Sequence, residues 1–301
     1  MANVRELKRR IKSIRNIAQV TRAMQMVATS KMRRAQEQAL ATRPYAAKAW
    51  QVLVHLAAQH GSRQGMHPLL SQRTPVRVIG LVLISADKGL CGAYNTNILR
   101  TAIHFIQSHE QPVRLITIGR RGRDFMARHG GQIIAEFSDL PSRPSVLDIA
   151  PIARTVIDDF LNGDFDEVYL AYTDFINTLS QKPTVRRLLP IMPGEIESRV
   201  MREYASDVGP VPSGGYIYEP DPQTILSAVL PRFTELQIYQ ALLESWASEH
   251  SARMVAMRNA TENANALIGS LTLTFYRARQ EAITREMIDI AGGAEALRQS
   301  M

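Results

Sequence analysis

The chain has 301 residues, 45% apolar and 21% charged, a balance that marks a folded chain and excludes an intrinsically disordered one. One cysteine, Cys91, excludes an internal disulfide or a cysteine-based metal cluster, and no apolar run approaches the roughly eighteen residues of a membrane-spanning helix. The formal charge of +8 is concentrated at one end: Met1 to Arg34 holds ten Lys or Arg residues against the single acid Glu6, leaving the remainder nearly neutral.

The basic residues of RELKRRIKS stand where a secretory signal would need an apolar core, so the chain is expected to be made and kept in a reducing, cytosol-like compartment. Residues 3 to about 58 carry Val4, Leu7, Ile11, Ile14, Ile17, Val20, Met24 and Val27 at helical spacing, interleaved with charge. This predicts one long helix. Pro44 is expected to kink or break it, because proline removes a donor and clashes with the preceding turn. The charge calls for an acidic partner (phosphate, lipid headgroup or acidic protein surface) or else makes a solvated helix face.

Strand-like apolar runs then alternate with amphipathic stretches. Strands are expected at Val76 to Ala86, Val113 to Gly119, QIIAEF, EVYLAYTDF and TVRRLLPI. Helices are expected from Asn97 to Ser108, over RRGRDFMARHG with Gly130 and Gly131 closing it, and over SVLDIAPIARTVIDDFLN despite Pro151. The alternation predicts a Rossmann-like, largely parallel α/β sheet of about five strands. Pro, Gly and Ser cluster from Pro190 to Gly215, and Pro222 suits an early position of the last helix.

From Arg232 to Met301 there is no proline. Leu243, Ala247, His250, Met254, Met257, Thr261, Ala264, Ile268, Leu271, Phe275, Ala278 and Ala282 recur with a mean step of about 3.5, the period of a helix wound on a partner. Seventy residues at about 1.5 Å each make a rod on the order of 100 Å, longer than a catalytic domain needs. The economical arrangement is an antiparallel two-helix coiled coil from the two ends of the chain, with residues 1–60 and 216–301 as its helices and 61–215 as the α/β domain. Its Ala, Thr and Met seam permits close approach with modest hydrophobic drive, so a surrounding partner is expected to hold it.

Catalytic chemistry is hard to find. DKGLCGAYN follows the first strand, yet Gly89 and Gly92 match neither the dinucleotide fingerprint nor the P-loop, so a tight turn is the simpler reading. Cys91 reads as a buried small hydrophobe and His250 as a polar seam residue that sets register. His55, His60, His67, His104, His109 and His129 lack ligand spacing. Asp158, Asp159, Asp164, Asp166 and Glu167 read as solvated surface around a helix end. GRRGRDF is a basic turn able to grip phosphate or an acidic surface, or an ordinary Arg-rich exterior turn. No cofactor or metal is expected.

RELKRRIKSIRNIAQVTRAMQMVATSKMRRAQ, ISADKGLCGAYNTNI and SARMVAMRNATENANALIGSLTLTFYRARQEAITREMIDIAGGAEAL together resemble the gamma subunit of rotary F-type ATP synthases, in the right order and over nearly the whole length. The resemblance implies a non-catalytic central stalk. Its coiled coil would lie inside a ring of three alpha and three beta subunits, with its α/β domain on the membrane-embedded c-ring beside the epsilon subunit. It implies that Arg279 and Gln280 engage the catch loop of a beta subunit, and that Met24 lies near the beta lever. Met287, Ile288, Ile290, Gly292, Gly293 and Leu297 would belong to an apolar tip turning in a bearing. Tyr216, Tyr218 and Glu219 would contact the c-ring and epsilon. Lys88 stands where the family commonly has arginine, and the paired-cysteine insertion of chloroplast forms is missing. A peripheral place on the cytoplasmic side of a bacterial plasma membrane is expected. A basic coiled-coil protein binding nucleic acid is the alternative; it leaves the α/β domain unexplained.

Overall fold

The computed structural model describes residues 4–59, 67–141, 143–192, 219 and 221–299. In order they form α1 (Val4–Gln59), a short 3-10 turn (Pro68–Leu70), β1 (Ile79–Ile84), α2 (Tyr94–Gln107), β2 (Val113–Ile118), α3 (Arg120–Arg128) and β3 (Gln132–Phe137). There follow α4 (Val146–Asn162), β4 (Glu167–Phe175), β5 (Gln181–Leu189) and α5 (Pro222–Gln299). The chain divides into two compact units, one of residues Ala28–Arg253 and the other combining Met1–Val27 with Met254–Met301.

The larger unit is built on a five-stranded sheet of order β3-β2-β1-β4-β5. β1 pairs in parallel with β2 and β4, β2 in parallel with β3, and β5 closes one edge antiparallel to β4. All six residues of β1 are buried, as expected of a central strand covered on both faces. Alternation assigns those faces: Val82 and Ile84 join a core with α4 and the neighbouring stretches of α1 and α5. Leu81 and Leu83 pack on Ile98, Leu99 and Ala102 of α2 and Met126 of α3.

Of the two outcomes expected at Pro44, a kink or a break, the break does not occur; the helix runs through the proline to Gln59. Beyond the proline, Ala46, Trp50 and Leu53 are buried in the main core, and the Trp50 ring lies 5.6 Å from that of Phe233. Burying these side chains is worth on the order of 4–6 kcal/mol, enough to outweigh the roughly 3 kcal/mol cost of an interior proline. A second departure is Asp166, read as solvated surface but only 1% exposed. Its carboxylate accepts from the backbone N–H groups of Arg77 (2.7 Å) and Val78 (3.2 Å), fixing the approach to β1.

The smaller unit is the antiparallel helix pair. Leu7, Ile11 and Ala18 of α1 and Met257 and Ala264 of α5 are its buried apolar residues. The Thr21 and Thr261 hydroxyls meet at 2.7 Å. Equal steps from that contact set Ala18 opposite Ala264, Ile11 opposite Leu271 and Leu7 opposite Phe275. At Ala18 and Ala264 small residues face each other, which permits close approach, while the pairs nearer the start of α1 are large. Every seam position named from Leu243 to Ala278 is buried or half-buried. The polar pair in this seam is Thr21–Thr261; His250 belongs to the larger unit instead.

Candidate functional site

In an open α/β sheet, ligands bind at the carboxyl edge where the chain's winding reverses. Here β1 leads through α2 and α3 toward one edge while α4 returns to β4, so the reversal lies between β1 and β4. Helix α5 is anchored at that place. The last β1–β4 pair is Leu83 with Ala171, and farther along Thr173 stands opposite Pro183, which has no N–H to offer. Both backbone groups of Thr173 are taken by α5: its N–H donates to Ser245 Oγ (3.0 Å), and Ser248 Oγ donates to its carbonyl (3.2 Å). Ser251 Oγ donates to the carbonyl of Thr178 at 2.7 Å. These serines are buried. Three buried hydroxyls on a helix would be costly without such partners.

The loop after β1 meets α5 from the other side. Arg253 Nη2 donates to the carbonyls of Gly89 (3.1 Å) and Lys88 (3.4 Å), while its Nη1 holds the Glu249 carboxylate at 2.6 Å. Asn95 Oδ1 accepts from the Ala86 N–H, and Asn95 Nδ2 donates to Cys91 Sγ at 3.2 Å. Leu90 and Gly92 both have positive φ, 62° and 57°, so the turn is tightly wound. Burial raises the Cys91 thiol above its ordinary range, so it stays protonated and inert, the small hydrophobe expected. Burial also raises Glu249, with Arg253 opposing that shift. His250, beside Arg253, is pushed down to about 3, first by burial and then by Arg253 and Lys31, and is neutral at pH 7. The crevice a ligand would need therefore carries helix anchors.

Among the described residues no cluster of His, Cys, Asp and Glu is arranged to hold a metal ion. The basic turn GRRGRDF is largely satisfied locally. Arg120 pairs with Asp139, and Arg123 holds Asp124 at 2.8 Å and Glu136 at 3.4 Å.

The remaining functional candidates lie apart from this seat. Met24 is half-buried on α1, while Arg279 and Gln280 are exposed on α5. From Arg279 to Gly292 every residue of α5 is exposed. That stretch carries Met287, Ile288 and Ile290 at 59%, 65% and 67% exposure. Ile17, Val20, Met26 and Val27 of α1 are similarly bare. Apolar side chains left in water in this concentration mark a surface made for partners. Gly293 and Leu297 lie within α5, but their exposure is outside the described residues, as are Tyr216 and Tyr218; Glu219 is exposed. The serine row was missed from sequence. Its only local signal is three serines at steps of three on a helix with apolar residues nearly all round.

A sequence model described as ATP synthase matches residues 3–297. The chain is 49% identical over 297 residues to an ATP synthase gamma chain of Dehalococcoides mccartyi, spanning 99% of this chain and all of that one. It is 46% identical over 303 residues to the gamma chain of Roseiflexus castenholzii, with 99% and 100% coverage. Among solved structures, one chain from the OSCP/F1/c-ring assembly of the Euglena gracilis mitochondrial ATP synthase superposes with a TM-score of 0.65. That superposition covers 98% of this chain and 94% of that one, at 18% identity. A chain from the central stalk and c-ring of the Tetrahymena thermophila enzyme gives 0.59 at 24% identity, covering 80% and 99%. These two likenesses concern the fold.

Proposed function

The chain belongs to the ATP synthase gamma chain family and is the central-stalk rotor of an F-type ATP synthase; from that premise we propose how it divides the work with its partners. Bond-making belongs to the beta subunits, and this chain supplies the moving, asymmetric part. Its helix pair turns inside a ring of alpha and beta subunits. Its α/β domain takes up rotation from the c-ring beside epsilon. Each beta subunit then meets successive faces of the rotor and is biased toward open or closed states, because a ligand or partner shifts a conformational equilibrium only through differential contacts.

Full-length similarity to bacterial gamma chains carries this reading, and the surface supports it. The exposed apolar residues of Ile283 to Ile290 suit a tip enclosed by a bearing. Arg279 and Gln280 offer a guanidinium fork and an amide to an acidic loop of beta. Met24 sits near the beta lever, and the basic face of α1 runs past acidic lever surfaces. Tyr216, Tyr218 and Glu219 meet the c-ring and epsilon. No helix among the described residues is long and apolar enough to cross a membrane; attachment is peripheral, through the complex, on the cytoplasmic face of a bacterial plasma membrane.

Affinity purification of the tagged chain from its native membranes tests this. Stable recovery of alpha and beta subunits, and loss of ion-driven ATP synthesis in membranes lacking the chain, are expected. Recovery of neither, or recovery of nucleic acid that is released by salt, would overturn the assignment.

A further inference from the structure

We propose that Ser245, Ser248, Ser251 and Arg253 form a torque-bearing lock that prevents α5 from slipping about its own axis against the sheet. The lock rests on the rotor function given above and adds to it the residues through which turning force passes from the α/β domain into the helix.

Apolar packing is non-directional and resists rotation of a helix about its axis only through the shape of its side chains. Hydrogen bonds resist it by their geometry. At about 100° per residue, the four side chains span an arc of roughly 200° around α5. The serines occupy one side of that arc and Arg253 the other. Their partners are correspondingly opposed. Ser245 and Ser248 hold the two backbone groups of Thr173, and Ser251 holds the Thr178 carbonyl. Arg253 holds the carbonyls of Lys88 and Gly89 in the loop after β1. Rotation of the helix in either sense therefore stretches one group of bonds.

Burial keeps water from exchanging with the serine contacts. Glu249, 7% exposed, orients the guanidinium from one turn away at 2.6 Å. Beyond Arg253 the same helix continues without interruption to Gln299. A lock placed here delivers force to the whole remaining helix.

The test uses the assembled ATP synthase with its alpha and beta subunits immobilised and a probe on Leu147→Cys, whose native side chain is 82% exposed in the α/β domain. The readout is the angular variance of the probe during ATP-waiting pauses, which is inversely proportional to torsional stiffness. If the four anchors act as parallel springs of equal stiffness, Ser248→Ala combined with Arg253→Met halves the stiffness of the lock and raises the variance by up to about twofold, the remaining packing and the rest of the helix pair setting how much less. Unloaded ATP hydrolysis stays within about twofold, because the anchors make their hydrogen bonds inside this chain and the serines are buried. Arg253→Lys keeps the charge but loses the fork, and gives a smaller increase. Ser248→Ala alone does likewise, which keeps the test decisive if the double variant fails to assemble. Unchanged variance in both single variants, with assembly intact, would overturn the lock. A wild-type complex that hydrolyses ATP without turning would instead sink the rotor function on which it rests.

Discussion

His250 makes the energetics of this seat measurable. Its ordinary pKa of 6.5 is pushed down to about 3 in the fold, by burial first and then by the charges of Arg253 and Lys31. For a group whose folded pKa is depressed, the unfolded chain binds the extra proton; the associated stability is complete above pH 6.5 and is lost as pH falls toward 3. Each pH unit in that window costs about 1.4 kcal/mol, so lowering the pH from 7.5 to 5.0 removes about 2 kcal/mol. Glu249, raised by burial, works in the opposite sense, favouring the fold as pH falls through its raised pKa. The comparison is therefore between the wild-type chain and His250→Gln, which retains an acceptor for Arg253 but cannot titrate. Both tryptophans, Trp50 and Trp246, lie in the larger unit, so urea unfolding followed by their fluorescence reports on the right region. The wild type should lose about 2 kcal/mol more than His250→Gln over that range. Parallel curves, or a His250 imidazole titrating near pH 6.5 by NMR in the folded chain, would refute the reasoning.

Gly119→Ala should be severe. Gly119 has φ of +99°, and an added Cβ would lie 2.2 Å from the carbonyl oxygen of Ser85, so a loss above about 3 kcal/mol is expected by chemical denaturation. Met24→Lys places a charge on a half-buried position of α1 and should lower ion pumping per ATP hydrolysed, measured in reconstituted vesicles; an unchanged ratio would remove Met24 from the lever contact. Arg279→Ala should slow coupled ATP synthesis about tenfold, the scale of one charge-assisted hydrogen bond. Because Arg279 is exposed, the melting temperature of the isolated chain should not move.

The helices at each end and the four parallel-paired strands were readable because their signals are local. Hydrophobic period separates a helix from a strand within a dozen residues, and VRVIGLVLISA lacks the polar alternation of a half-exposed strand. The long-range terms were not readable. That α1 runs on through Pro44 was not readable, because the proline's cost is local while the compensating burial of Trp50 and Leu53 comes from α5, far along the chain. Asp166 sat among acids that looked alike, and only the fold brings the backbone of Arg77 and Val78 to it. His250 fitted the 3.5 spacing of the seam, but every residue of α5 from Phe233 to Arg253 is buried or half-buried, so one period could not separate a two-helix seam from a core helix. Gly89 and Gly92 match no phosphate-binding fingerprint in the sequence, and the contact their turn makes is again long-range. Arg253, 164 residues from Gly89 in sequence, uses that turn's carbonyls as anchors for α5.

Rotation itself provides the most direct test of the central claim. With the alpha and beta subunits fixed to a surface and a probe on Leu147→Cys, addition of ATP should drive stepwise rotation in one sense, at a rate that follows hydrolysis. Sustained hydrolysis by the intact complex with the probe stationary, or moving equally in both senses, would contradict the account.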